Sequence, residues 1–195
     1  MNATILRKSV LGIAGLAFAG GVFAGPVTEA HANPVDAKAV AVVQADKVDK
    51  SKLIPHGVQG KQSRITLDSE QTKNVKAMIA ATKKSHMDER AAVISIATAL
   101  QESKLENLGH LGARNDHDSQ GLFQQRPSSG WGTVEQITDP EYATMAFLKG
   151  LKQVDGWQDM PLTEAAQTVQ VSAYPDAYAQ WERQAADLVA KHWNN

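Results

Sequence analysis

Ten consecutive residues, Ala91-Ala92-Val93-Ile94-Ser95-Ile96-Ala97-Thr98-Ala99-Leu100, contain no charge, no glycine and no proline. Asp88 stands just before them as a helix cap, so the stretch reads as a helix running to about Ser103. It is apolar or small nearly all round. A helix without a polar face belongs in the middle of a domain, and the other elements have to be built around it.

Those elements also read as helices. Asp68 with Gln71 three residues on is a capping box, and Val75, Met78, Ile79 and Thr82 follow at helical spacing. Asp139-Pro140-Glu141 is a strong helix start, continued by Tyr142, Met145, Ala146 and Leu148 and closed near Gly156. Leu162-Thr163-Glu164 opens a further helix to about Ser172. Pro175 interrupts, and Asp176 to His192 reads as the last helix. A loop rich in Gly, Asn, Asp and Ser covers 107–120, no repeat is visible, and strand patterns are scarce. The expected fold is a compact, mostly α domain over 65–195 with little or no β-sheet.

The N-terminal third has a different character. Arg7 and Lys8 precede an uncharged apolar stretch, Val10 to Ala24, and Ala30-His31-Ala32 supplies small residues for a cleavage site. This is the pattern of a secretory signal peptide over 1–32, with a cut after Ala24 as the alternative. The apolar stretch is shorter than the roughly 20 residues that span a bilayer. Residues 33–64 mix Pro34, Pro55, Gly57, Gly60 and many charges, and read as a linker or loosely attached arm. The expected mature protein is soluble, secreted and associated with the cell wall.

Charge and cysteine content narrow the function classes. A net charge of −1 sets up no field for nucleic acid or an anionic membrane. With no cysteine there is no disulfide, no thiolate metal site and no thiol nucleophile.

The informative residue is Glu102, which follows the apolar helix directly. A carboxylate beside so much apolar surface is costly to ionise, because desolvation favours the protonated form. A protonated carboxyl is what a general acid needs to protonate a glycosidic oxygen. A helix-end glutamate turned to solvent is the competing reading. Downstream stand Ser103, a polar loop with Ser119, then Gly121-Leu122-Phe123-Gln124, and finally Ala173-Tyr174-Pro175.

In this order these pieces resemble the lytic transglycosylase and lysozyme-like superfamily. Its motifs are Glu-Ser closing a helix, Gly-Leu-Met-Gln, and Ala-Tyr-Asn. Phe123 stands where methionine is usual, and Pro175 where asparagine often is. The resemblance implies a lysozyme-like helical domain that cleaves the MurNAc-GlcNAc strand of peptidoglycan, with Glu102 as acid and then base. It implies substrate-side or loop-holding roles for Ser103, Ser119, Gly121, Gln124 and Gln125, and a hydroxyl from Tyr174 near Glu102. Trp131, in Ser128-Ser129-Gly130-Trp131-Gly132, is placed to stack on a sugar ring. Tyr178 would line the same groove if the last helix continues, and Trp157 and Trp181 read as core anchors.

Three functions stay open. A lytic transglycosylase needs one carboxylate, because the substrate's own acetamido and 6-hydroxyl groups complete the reaction. A hydrolysing muramidase needs a second carboxylate, which Asp116 or Asp118 would supply; ordinary turn chemistry is the other reading of that loop. A non-catalytic glycan-binding protein is the third. No cofactor and no metal is expected, His110 and His117 included. The expected partner is the glycan strand alone, bound by a monomer.

Overall fold

The structure is a computed structural model and describes residues 48–195. The signal-peptide expectation for 1–32, and residues 33–47 of the expected arm, lie outside the described residues.

The uncharged stretch forms the central helix. In chain order the helices are α1 (Lys50–Leu53), α2 (Ser69–Lys84), α3 (Glu89–Ser103), α4 (Val134–Ile137), α5 (Pro140–Leu151), α6 (Leu162–Gln170) and α7 (Glu182–His192). Every residue of α3 from Arg90 to Leu100 is buried. It is covered by α1, α2, α5, α6, α7 and a 3-10 turn at Ala177–Trp181. The two hydroxyls in its uncharged stretch need no outside partner. Ser95 Oγ donates to Ala91 O at 2.8 Å and Thr98 Oγ1 to Ile94 O at 2.8 Å. The described residues contain no strand, only one isolated bridge between Gln120 and Gln125, so the mostly α expectation holds. No helix among them is long and apolar enough to cross a membrane.

The caps act where the side chains predict. Asp88 Oδ1 accepts from Ala91 N at 3.1 Å and Asp139 Oδ1 from Tyr142 N at 2.7 Å. The Asp68–Gln71 box closes in both directions at 2.8 Å. The ends differ from expectation. The helix at Pro140 stops at Leu151, and Gly156 instead enters a 3-10 turn, Trp157–Asp159. The stretch from Asp176 is not one helix: the 3-10 turn comes first and α7 starts at Glu182. Trp157 and Trp181 are buried in the core.

Residues 48–64 are not an arm. Leu53 is fully buried. Ser63 N donates to Gln180 O at 2.7 Å, and Gln62 Nε2 to Ala179 O at 3.0 Å. Ile65 N donates to Gln184 Oε1 at 2.9 Å, and Gln184 Nε2 returns a bond to Ile65 O at 2.8 Å. Proline, glycine and charge in this segment go with little regular structure beyond the short α1. They do not report the lack of contact.

A buried ion pair ties this segment in. Arg90 Nη1 lies 2.7 Å from Glu182 Oε1, with both side chains under 5% exposed. The guanidinium also donates to Leu53 O at 2.7 Å and Met160 O at 3.2 Å. Burial pushes the Glu182 carboxyl upward, and Arg90 pulls against it. Arg90→Met strands that carboxyl, so it is expected to cost about 3–5 kcal/mol. Arg90→Met with Glu182→Leu should recover most of the loss. Urea unfolding checks both; a single-variant cost below about 1 kcal/mol would refute this role.

Candidate active site

Glu102 is half-buried at the last turn of α3, where the helix leaves the core. It is not enclosed by apolar surface: two hydrogen-bond donors stand against it. The Tyr178 hydroxyl donates to its Oε1 at 2.7 Å, and Gln170 Nε2 donates to the same oxygen at 3.3 Å. Among the described residues, no hydrogen bond reaches Oε2. Gln170 Nε2 also donates to Phe123 O at 2.9 Å, so one amide joins the end of α6, the Gly-Leu-Phe-Gln turn and the carboxylate.

The neighbouring Gln101 holds Tyr178's turn in place. Its Oε1 accepts from Trp181 Nε1 at 2.9 Å and Gln180 Nε2 at 3.1 Å. Lys104 Nζ lies 4.8 Å from the centroid of the Trp181 ring. Burial lowers the Lys104 ammonium, and the Glu102 charge partly offsets this. For Tyr178, burial first and the Glu102 charge second push the phenol well above its usual range, while a hydrogen bond with Ser172 works the other way. Tyr178 therefore stays protonated and keeps donating to Glu102.

The backbone around this site is strained. Six described non-glycine residues have positive φ: His86, Lys104, Leu105, His117, Gln124 and Val171. Four of them flank the site. Lys104 and Leu105 follow Glu102-Ser103, Gln124 ends the Gly-Leu-Phe-Gln turn, and Val171 follows Gln170. Each such conformation costs on the order of 1–3 kcal/mol, and strain of this kind gathers at functional sites.

Most of the residues expected at the substrate turn out to shape the site instead. Ser103 is buried, and its hydroxyl lies 2.8 Å from Leu122 O and 3.1 Å from Ala99 O, tying the helix end to the turn. Ser119 is buried and accepts from Arg126 Nε at 3.0 Å. Gly121, at φ +77, donates its N–H to Leu108 O at 2.7 Å, and a Cβ there would sit 2.0 Å from Ile137 O. Gln124 turns its amide back onto Gly121 O at 3.1 Å. Gln125 is buried and donates to Ala143 O at 3.3 Å, while its Oε1 has no partner. Phe123 stacks on Phe147 with centroids 5.0 Å apart.

Tyr174 does not reach Glu102. Its side chain is 73% exposed, and the hydroxyl at Glu102 belongs to Tyr178. The sequence holds two Ala-Tyr pairs, Ala173-Tyr174 and Ala177-Tyr178. Val171 turns the chain out of α6 through a left-handed residue, and only the second pair returns to α3. Trp131 lines a different groove, which includes none of Glu102, Gln170 or Tyr178.

The loop carboxylates serve the loop. Asp116 pairs with His117 at 2.7 Å and Arg126 at 2.5 Å, and these contacts, His117 first, lower its carboxyl. Asp118 accepts from Ser128 N and Ser128 Oγ, both at 2.8 Å, and is lowered by them. His110 Nδ1 accepts from Gly112 N at 3.0 Å. No group of three or more potential metal-ligating side chains occurs among the described residues. Gln170 escaped sequence reasoning altogether, since a helix-end glutamine carries no signal that its amide meets a carboxylate 68 residues away. No protein-family model matches the chain, and no curated protein sequence matches it.

Two outcomes check this geometry. Gly121→Ala adds a backbone collision to the left-handed strain of about 1–2 kcal/mol. Gly130→Ala, at φ +82 with no atom within 4 Å, meets the strain alone. Urea denaturation should therefore find Gly121→Ala clearly the more costly; equal costs would contradict the close approach to Ile137. The unfolded chain releases the Tyr178 proton near pH 10 while the folded chain retains it. Tyr178 therefore contributes stability that is present below about pH 10 and lost as pH rises through its folded value. Tyr178→Phe should flatten the alkaline fall in the urea midpoint, and parallel curves for parent and variant would contradict the assignment.

Proposed function

We propose that this chain is an exported peptidoglycan-cleaving enzyme of the lytic transglycosylase type, with Glu102 as its single acid and base. The observation that carries the reading is the asymmetry of the Glu102 carboxyl. Oε1 accepts from Tyr178 and Gln170, so a proton on the group resides on Oε2, the oxygen without a partner among the described residues. That proton passes to the glycosidic oxygen as the carbon–oxygen bond breaks, and the substrate's acetamido oxygen assists the departure. The carboxylate left behind is stabilised by the same two donors. It then takes the proton of the substrate's 6-hydroxyl as that oxygen closes the 1,6-anhydro ring, which returns Glu102 to its starting form.

No water has to be activated on this route, so no second carboxylate is required. Asp116 and Asp118 are poor candidates for that second role. Each is held by its own loop, and a lowered carboxyl is a weak base. The Glu-Ser, Gly-Leu-Phe-Gln and Ala-Tyr resemblance supports the same reading, with Ala177-Tyr178 as its third piece.

The test is product analysis. Residues 33–195 are incubated with purified peptidoglycan and the fragments read by mass spectrometry. Anhydromuramyl ends are expected. Glu102→Gln, which keeps size and removes the acid, should lower cleavage by about 10²-fold or more. Tyr178→Phe removes one charge-assisted hydrogen bond and should lower it about tenfold to a hundredfold. Reducing muramic ends would replace this reading with hydrolysis. Absence of cleavage, with Glu102→Gln binding glycan as well as the parent, would leave only a glycan-binding role.

A further inference from the structure

A groove of about 600 Å³ runs along α5 and contains no residue of the Glu102 site. That volume is within the range of small-ligand pockets, roughly 300–1,000 Å³. Met87, Trp131, Tyr142, Met145, Lys149 and Lys152 are among the residues that line it.

The backbone on either side of the indole turns at two glycines. Gly130, at φ +82, closes the 3-10 turn Pro127–Ser129. Gly132 sits at φ +139, where a Cβ would come 2.9 Å from Gln136 Oε1 and 3.0 Å from the Tyr142 ring. Only glycine at 132 lets the Tyr142 ring pack against this backbone, and Trp131 and Tyr142 line the same groove. Trp131 is only half-buried in this position, and Met145 is 36% exposed.

The charge at the groove has one sign. Lys84 and Glu141 beside it pair with each other. Lys152 Nζ donates once, to Ser85 O at 3.2 Å, and has two further protons to give. Lys149 has no ion-pair partner among the described residues. Lysines in the last turn of a helix also complement its dipole. Here, however, two of them line the same mostly apolar groove, three residues and about one helical turn apart.

From this combination we propose that the groove binds a short acidic peptide with small apolar side chains. The methionines and aromatic rings receive the side chains, and the two ammonium groups receive carboxylates. A bare glycan fits less well, because sugar hydroxyls need a row of polar partners and the lining of this groove is mostly apolar. The proposal does not depend on the chemistry of Glu102.

The test uses the full chain and fluorescently labelled acetyl-alanyl-glutamyl-alanyl-alanine, which carries two carboxylates. Controls are the same peptide with glutamine for glutamate and an amidated end, and tetra-N-acetylchitotetraose. Anisotropy should show binding of the acidic peptide that weakens with salt. Lys149→Glu with Lys152→Glu, and separately Trp131→Ala, should each weaken it about tenfold or more. Glu102→Gln should leave it unchanged, which keeps this outcome separate from the catalytic one. Circular dichroism of each variant confirms the fold. The proposal is overturned if the neutral peptide binds equally, if neither groove variant alters binding, or if only the glycan binds in a Trp131-dependent way. Self-association through Trp131 without peptide binding would overturn it as well.

Discussion

Because α3 has no polar face, water must be excluded from it on every side. Five helices and a 3-10 turn do so, drawn from both ends of the described chain. Apart from Ser95 and Thr98, whose hydroxyls bond back within the helix, its polar side chains stand at its two ends, and each end organises a region. At the first, Arg90 enters the core and is neutralised by Glu182, with the Leu53 and Met160 carbonyls accepting from the same guanidinium. At the second, Gln101 and Glu102 emerge and gather the partners of the candidate site. The core and the site are therefore two aspects of one burial problem.

The residues around Glu102 divide by the kind of work they do. Ser103, Ser119, Gly121 and Gln125 are buried or pressed against backbone, and they hold the Gly-Leu-Phe-Gln turn beneath the carboxylate. Tyr178 and Gln170 touch the carboxylate itself, both on one oxygen. A group held on one side only has a defined direction for its proton, which is the property a general acid requires. Left-handed residues at Lys104, Leu105, Gln124 and Val171 are the conformational cost of bringing three chain turns to one point.

Trp131 has a separate place. It lines a groove along α5 with Tyr142, away from the residues that hold Glu102, and Lys149 and Lys152 line the same groove. The near-neutral total of the whole chain gives no sign of this local pair of lysines.

Much of the fold was legible in the sequence because it depends on neighbours in the chain. Asp68, Asp88 and Asp139 cap the next turn of their own helices, and the spacing of apolar residues sets which face is buried. The candidate acid was legible for the same reason: Glu102 is where the uncharged helix ends. Its partners were not. Two Ala-Tyr pairs four residues apart are equivalent as sequence, and the left-handed turn at Val171 decides that Tyr178, not Tyr174, returns to α3. Gln170 and the docking of residues 48–64 are likewise contacts across long sequence separations. Caps and periodicity are local and can be read along the chain. Which donor meets a carboxylate depends on how the helices close around α3, and only the tertiary structure decides that.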